Sequence, residues 1–326
     1  GNGLNYNVTT GSDGTYTLSN LPIGTYTVTE TNAPDKTIND ENGRTVQVTV
    51  NAASTVTYTR VNSYPRGSVR LTKFDTDHRG ATLGDATLEG AIYNLCAAED
   101  IYEGDQLIYS NNQVVKTVVT NVNGETEAVT NLPVGKYYYL EIEPSEGFNI
   151  NPDRINTSVD YAGQFTPVIG EEYNEAPEHP IYSNLHIVKR LGETDYDAEI
   201  NLAGSQFKAT LISNPSQVYY SNVSGEDGVC DINDIPYGKY RIEEYKTPDE
   251  AYTIEPFEVS FTENGKTYEY TKVDNSKEMQ IEVTKEMLLN EGEATDAKVS
   301  GAYFTVYTDA EAKNKYVDKN GDVVVI

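Results

Sequence analysis

The strongest constraint on this chain is a motif that returns three times. A Gly-bearing turn leads into an alternating strand, then Leu/Ile-Pro-x-Gly-x-Tyr, then a second strand carrying Glu. The copies lie at residues 13–34, 123–148 and 227–252. From the Gly after the Pro to the Glu is six residues each time: Gly24 to Glu30, Gly135 to Glu141 and Gly238 to Glu244. A constant interval inside a divergent repeat means that geometry, not composition, sets the position of that Glu. Repeats of this kind signal tandem copies of one folding unit.

Two further patterns recur with it. An opening strand ends in Lys: Val69-x-Leu71-x-Lys73, Leu185-x-Ile187-x-Lys189 and Ile281-x-Val283-x-Lys285. A closing strand ends in Asn: Asn62, Asn174 and Asn275, which lie 32, 33 and 31 residues after their Glu. The Pro-containing segments SYPRG and EAPEHP that follow the first two Asn read as linkers at domain boundaries. Asn42-Gly43, Asn123-Gly124, Asn264-Gly265, Asn320-Gly321, Asp13-Gly14 and Asp227-Gly228 are hairpin signals. With 26 Tyr, no Trp and no sustained helical period, the chain reads as all-β, a string of tandem immunoglobulin-like sandwiches. The expected domains are 1–62 (lacking its N-terminal strands), 68–175 and 184–275 (complete), and 279–326 (the N-terminal part of another).

Period-two alternation fixes which side chains face inward. Val69 and Leu71 share a face with Lys73, and Leu185 and Ile187 with Lys189. Tyr137 and Tyr139 share one with Glu141, Tyr240 and Ile242 with Glu244, and Tyr26 and Val28 with Glu30. For the closing strand only Val273 and Asn275 show a clear shared parity. Isolated buried charges cost several kcal/mol, so a Lys and a Glu driven into each apolar face call for a reason. Low dielectric disfavours charged forms, and a neutral amine is a nucleophile. A protonated carboxyl can polarise an Asn amide and pass a proton to departing ammonia. The product would be a Lys–Asn amide joining the first and last strands, in one turnover.

These residues carry a family resemblance. The Gly-x-Tyr-x-x-x-Glu-Thr-x-Ala-Pro run after a Leu-Pro-x-Gly turn, set between a Lys-ending strand and an Asn, resembles the collagen-adhesin B-type (SpaA-like prealbumin) domain of Gram-positive adhesins and pilins. The second and third copies depart from it locally, as EIEPS and EYKTP. The resemblance implies a seven-or-so-stranded sandwich holding a spontaneous isopeptide bond. It implies cross-links Lys73–Asn174 and Lys189–Asn275, promoted by Glu141 and Glu244, with Glu30 in the same role beside Asn62. Residues 1–62 hold Glu30 and Asn62 without an opening Lys, and residues 279–326 hold Lys285 without the rest. The simpler account is a piece of a longer array. The alternative is that one chain's tail completes the next chain's head, with a Lys285–Asn62 bond between chains.

Other chemistry is sparse. A net charge of −27 repels nucleic acid and anionic membrane alike. Three scattered His and two Cys leave little for metal, triad or disulfide chemistry, so neither metal nor cofactor is expected. The DTD segment at Asp75 and the DKNGD segment at Asp318 lack the spacing of a Ca²⁺ loop. No fingerprint of a turnover enzyme occurs. The function expected is a structural stalk on the cell wall of a Gram-positive bacterium. Its partners would be neighbouring repeats, with host matrix or glycan met elsewhere. The alternatives are an adhesive module gripping matrix or glycan, and accessory domains of a secreted enzyme.

Overall fold

The computed structural model describes residues 3, 5–42, 44–79, 81–192, 202–248, 251–274, 282–283, 285–288, 294–298, 301–307, 310–317 and 322–325. They contain twenty strands and no helix. The chain divides into two compact units, Gly1–Pro180 and Ile181–Ile326.

In the first unit, β1 (Gly24–Thr29) and β2 (Thr45–Val50) pair antiparallel to form a small head. A sandwich follows: β3 (Arg66–Asp75), β4 (Ile92–Ala97), β5 (Ile101–Glu103), β6 (Gln106–Tyr109), β7 (Val114–Val119), β8 (Val129–Leu132), β9 (Gly135–Glu143), β10 (Ile155–Val159) and β11 (Val168–Glu178). One sheet is ordered β10-β9-β4-β7 and the other β11-β3-β8, with β5 and β6 as a separate hairpin. The head rests on the loop before β11. The Asn39 N–H donates to the Gln164 carbonyl (2.7 Å), the Ala33 N–H to the Gln164 side chain (2.7 Å), and the Tyr161 hydroxyl to the Thr37 carbonyl (3.1 Å).

The second unit repeats this plan with β12 (Tyr182–Leu191), β13 (Gln206–Leu211), β14 (Val218–Tyr220), β15 (Val229–Pro236), β16 (Gly238–Lys246), β17 (Phe257–Phe261) and β18 (Thr267–Asp274). Its sheets are ordered β15-β12-β18 and β14-β13-β16-β17. Strand for strand, β12 stands where β3 does and β18 where β11 does. A short pair, β19 (Glu286–Leu288) with β20 (Ala294–Lys298), lies beyond.

Both cores follow from strand alternation. Val69 and Leu71 of β3 pack with Tyr93, Leu95, Tyr137 and Tyr139, while Leu185 and Ile187 of β12 pack with Phe207, Leu211, Tyr240 and Phe261. Cys96 and Cys230 are buried free thiols in separate sandwiches.

In each sandwich the opening strand is central in its three-stranded sheet. It pairs parallel with the closing strand on one side (β3 with β11, β12 with β18) and antiparallel with β8 or β15 on the other. The EAPEHP segment carries β11 through Pro177 to Glu178 and then ends at Pro180, where the first compact unit gives way to the second. An edge strand tolerates a proline because one side of its ladder has no strand to bond. The Pro177 carbonyl accepts from the Asn151 side chain at 2.9 Å.

The predicted turns at Asn123-Gly124 and Asp227-Gly228 close against the lysines. The Lys73 N–H donates to the Gly124 carbonyl (2.8 Å) and the Lys189 N–H to the Gly228 carbonyl (2.9 Å). Gly124 has φ +79°, and a Cβ there would lie 2.3 Å from the Lys73 carbonyl oxygen. Gly265 has a similar φ of +71° but open space around it. Gly265→Ala is therefore expected to cost only backbone strain, about 1 kcal/mol. Gly124→Ala should cost about 3 kcal/mol or more, because backbone must also move. Urea unfolding of the two variants tests the difference.

Candidate functional site: buried lysine–carboxylate clusters

The inward row of β3 is Val69, Leu71, Lys73 and Asp75, every second residue buried. Lys73 therefore enters the core as a matter of parity, and its side chain is 0% exposed. Its Nζ lies 3.3 Å from Glu141 Oε1 and 3.6 Å from Glu178 Oε2, and both carboxyls are as fully enclosed as the amine. The Phe148 ring closes the cluster, its centroid 4.5 Å from Nζ. Glu141 Oε2 accepts the Asn151 backbone N–H at 2.7 Å, which fixes the carboxyl with one oxygen toward the amine. The Tyr93 hydroxyl donates to Glu178 Oε1 at 2.7 Å. Among the described residues, Glu178 Oε2 accepts no hydrogen bond. Burial lifts Glu178 above the usual carboxylate range, against the opposing pull of the Lys73 charge. Burial and the Glu178 charge likewise raise the Tyr93 hydroxyl.

The second sandwich repeats the arrangement. Lys189 Nζ donates to Glu244 Oε1 at 2.5 Å and to Ser205 Oγ at 2.9 Å, with both charged side chains 0% exposed. Glu244 Oε2 accepts the Ile254 backbone N–H at 3.0 Å. In both sandwiches that backbone donor stands ten residues after its Glu.

In the head, Glu30 and Asn62 meet. Asn62 Nδ2 donates to Glu30 Oε2 at 3.0 Å and to the Ile38 carbonyl at 2.9 Å. Arg60 Nε also donates to Glu30 Oε2, at 3.1 Å. Glu30 is half-buried rather than enclosed, and Val28, expected inward beside it, is exposed. Lys285 is exposed just before β19.

The closing strand departs from the sequence reading. Parallel register sets Asn174 level with Leu71, Ala176 level with Lys73 and Glu178 level with Asp75. The Asn174 amide donates to Thr157 Oγ1 (3.0 Å), the Arg70 carbonyl (3.1 Å) and the Glu172 carbonyl (3.4 Å), not toward the lysine. The carboxyl that meets Lys73 from β11 is Glu178, so the geometry replaces Asn174 by Glu178 at this corner. The physical reason is the continuation of β11 past Asn174, which brings a later inward residue to the lysine. In β18 the matching register position is Asp274, level with Leu191, two past the partner of Lys189. Asn275 lies outside the described residues.

A sequence signal for this corner exists. Asn62, Glu178 and Asp274 each stand eleven residues before the next repeat's lysine, at Lys73, Lys189 and Lys285. Tyr93 had no such signal, because only packing brings β4 opposite β11. Asp75, considered above for Ca²⁺, instead caps a turn through the backbone N–H groups of Asp77 and His78, at 2.8 and 3.0 Å.

The chain matches the model of the SpaA prealbumin-like fold domain over residues 1–64, 67–172 and 190–277, and it belongs to that family. The TIE protein of Bacillus anthracis shares the fold at TM-score 0.51 and 20% identity, over 84% of this chain and 45% of that one. The chain thus spans less than half the length of that relative. The C-terminal fragment of the pilus adhesin SpaC from Lactobacillus rhamnosus GG aligns at TM-score 0.39 and 13% identity, covering 66% of this chain and 99% of the fragment. GBS52, the minor pilin of Streptococcus agalactiae, aligns at 0.29 and 16%, covering 67% and 100%. No curated protein sequence matches.

Removing one member of a buried ion pair leaves the other's desolvation uncompensated. Glu244→Ala is accordingly expected to destabilise the second sandwich by about 3–5 kcal/mol. Lys189→Met combined with Glu244→Leu removes both charges at similar volume, so it should be less destabilising than Glu244→Ala by roughly 3 kcal/mol, both variants lacking the glutamate that any cross-link would need. Denaturant titrations of the full chain separate the two outcomes.

Proposed function

We propose that this chain is a load-bearing stalk segment of a Gram-positive surface adhesin or pilus-like protein, its sandwiches locked by amide bonds that the fold itself makes from the buried lysines. The observation that carries this reading is the pairing of opening and closing strands, side by side and parallel, with an enclosed Lys–Glu contact on the opening strand of both sandwiches. Tension along the chain pulls the start of the opening strand one way and the end of the closing strand the other. Parallel neighbours loaded in this way slide in shear, so their hydrogen bonds resist together. A bond from the lysine to the closing strand would pass the load across the sandwich without unfolding what lies between.

Glu141 and Glu244 serve as proton carriers in this reading. Each offers one oxygen to the amine while a backbone N–H holds the other. The chemistry is a single turnover within the protein, with no external substrate. Neighbouring repeats are its partners, within one chain or head to tail between chains through Lys285 and Asn62. Host matrix or glycan would be met by another region, and the location is the outer cell surface.

Each amide formed expels ammonia or water, so intact mass should fall below the sequence mass by about 17 or 18 Da per bond. Glu141→Ala should restore one bond's worth of mass. A wild-type mass equal to the sequence mass would overturn the locked-stalk reading.

A further inference from the structure

We infer that Glu178, not an asparagine, is the acyl partner of Lys73, and that their amide forms with loss of water. The inference rests on the locked-stalk reading above and specifies the chemistry of its first lock. Three observations converge on Glu178. It is fully buried at the end of β11, and its Oε2 lies 3.6 Å from Lys73 Nζ while accepting no hydrogen bond among the described residues. Its other oxygen takes the Tyr93 hydroxyl at 2.7 Å, a donor placed to stabilise negative charge building on that atom. Meanwhile Asn174 is engaged by Thr157 and the Arg70 carbonyl, level with Leu71 on the far side of Ala176.

The steps balance without any outside reagent. Glu141 Oε1, 3.3 Å from Nζ, takes a proton from the Lys73 ammonium and leaves a neutral amine. The amine attacks Glu178 Cδ, while Tyr93 holds the oxygen that becomes the amide carbonyl. As the amide forms the nitrogen sheds a second proton. The second carboxyl oxygen, already carrying a proton in the acid form, takes it through Glu141 and leaves as water, with Glu141 keeping the proton it first removed. One C–N bond forms, one C–O bond breaks, and nothing is oxidised or reduced. A carboxylic acid and an amine condense poorly in water. Here the reactants are held in contact, and the product replaces a buried ammonium and carboxylate by one neutral amide, removing their desolvation cost. Burial lifts Glu178 above the usual carboxylate range, favouring the acid form that loses water readily.

The test is peptide mapping of the unmodified full-length chain. The expected result is a branched peptide joining Lys73 to Glu178, lighter than its two parts by about 18 Da, with no tryptic cleavage after Lys73. Glu178→Gln should yield a chain of the same final mass as wild type, because loss of ammonia from Gln and loss of water from Glu give the same amide. Asn174→Ala should leave the branched peptide in place. A Lys73–Asn174 peptide lighter by about 17 Da would overturn the assignment while leaving the locked stalk standing. Complete cleavage after an unmodified Lys73 would also overturn it. The intact-mass deficit contributed by the second sandwich then decides separately whether the stalk reading survives.

Discussion

The contact between a buried lysine and a buried glutamate is the interaction around which each sandwich is organised. A Lys73 or Lys189 ammonium inside a core of Tyr, Leu and Ile is tolerable only beside a compensating carboxylate. That requirement reaches outward. The Glu must project from the opposing sheet, its second oxygen needs a backbone donor, and the lysine's own backbone must be pinned. Asn151 and Ile254 supply the donors, and the Gly124 and Gly228 carbonyls do the pinning. The invariant six-residue step from the Leu/Ile-Pro-x-Gly turn to the Glu is the covalent trace of this demand. It sets how far along β9 or β16 the carboxylate must travel to reach the amine.

The parallel pairing of first and last strands sets where in the fold this packing solution lies. Most antiparallel sandwiches could hold a buried ion pair anywhere in the core. Here the ion pair sits on the opening strand, next to the closing strand that runs parallel to it. The opening strand is also central in its sheet, so it cannot peel from one edge without breaking two ladders.

The partner from the end of each unit differs: Asn62 meets Glu30 in the head, and Glu178 meets Lys73 in the first sandwich. One is an amide and the other a carboxyl, each presenting a carbonyl carbon to the cluster it joins. Around Glu178, Tyr93, Phe148 and Glu141 are buried, and burial lifts the Glu178 carboxyl above the usual carboxylate range.

Much of this was legible in the sequence. Alternation alone drives Lys73, Lys189, Glu141 and Glu244 inward, and the Gly-bearing turns and Pro-Gly steps mark where strands reverse. These are local properties, carried by backbone geometry at a period of two. What only the tertiary structure decided is which residue of the closing strand meets the lysine. Register between strands a hundred residues apart depends on bulges and on how far an edge strand runs, and β11 both shifts register between Val168 and Glu171 and continues through a proline. The same holds for Tyr93, whose hydroxyl reaches Glu178 across the interface of two sheets. The sequence by itself determined that a lysine and a glutamate would share each core; only three-dimensional register decided that Glu178, rather than Asn174, completes the first of them.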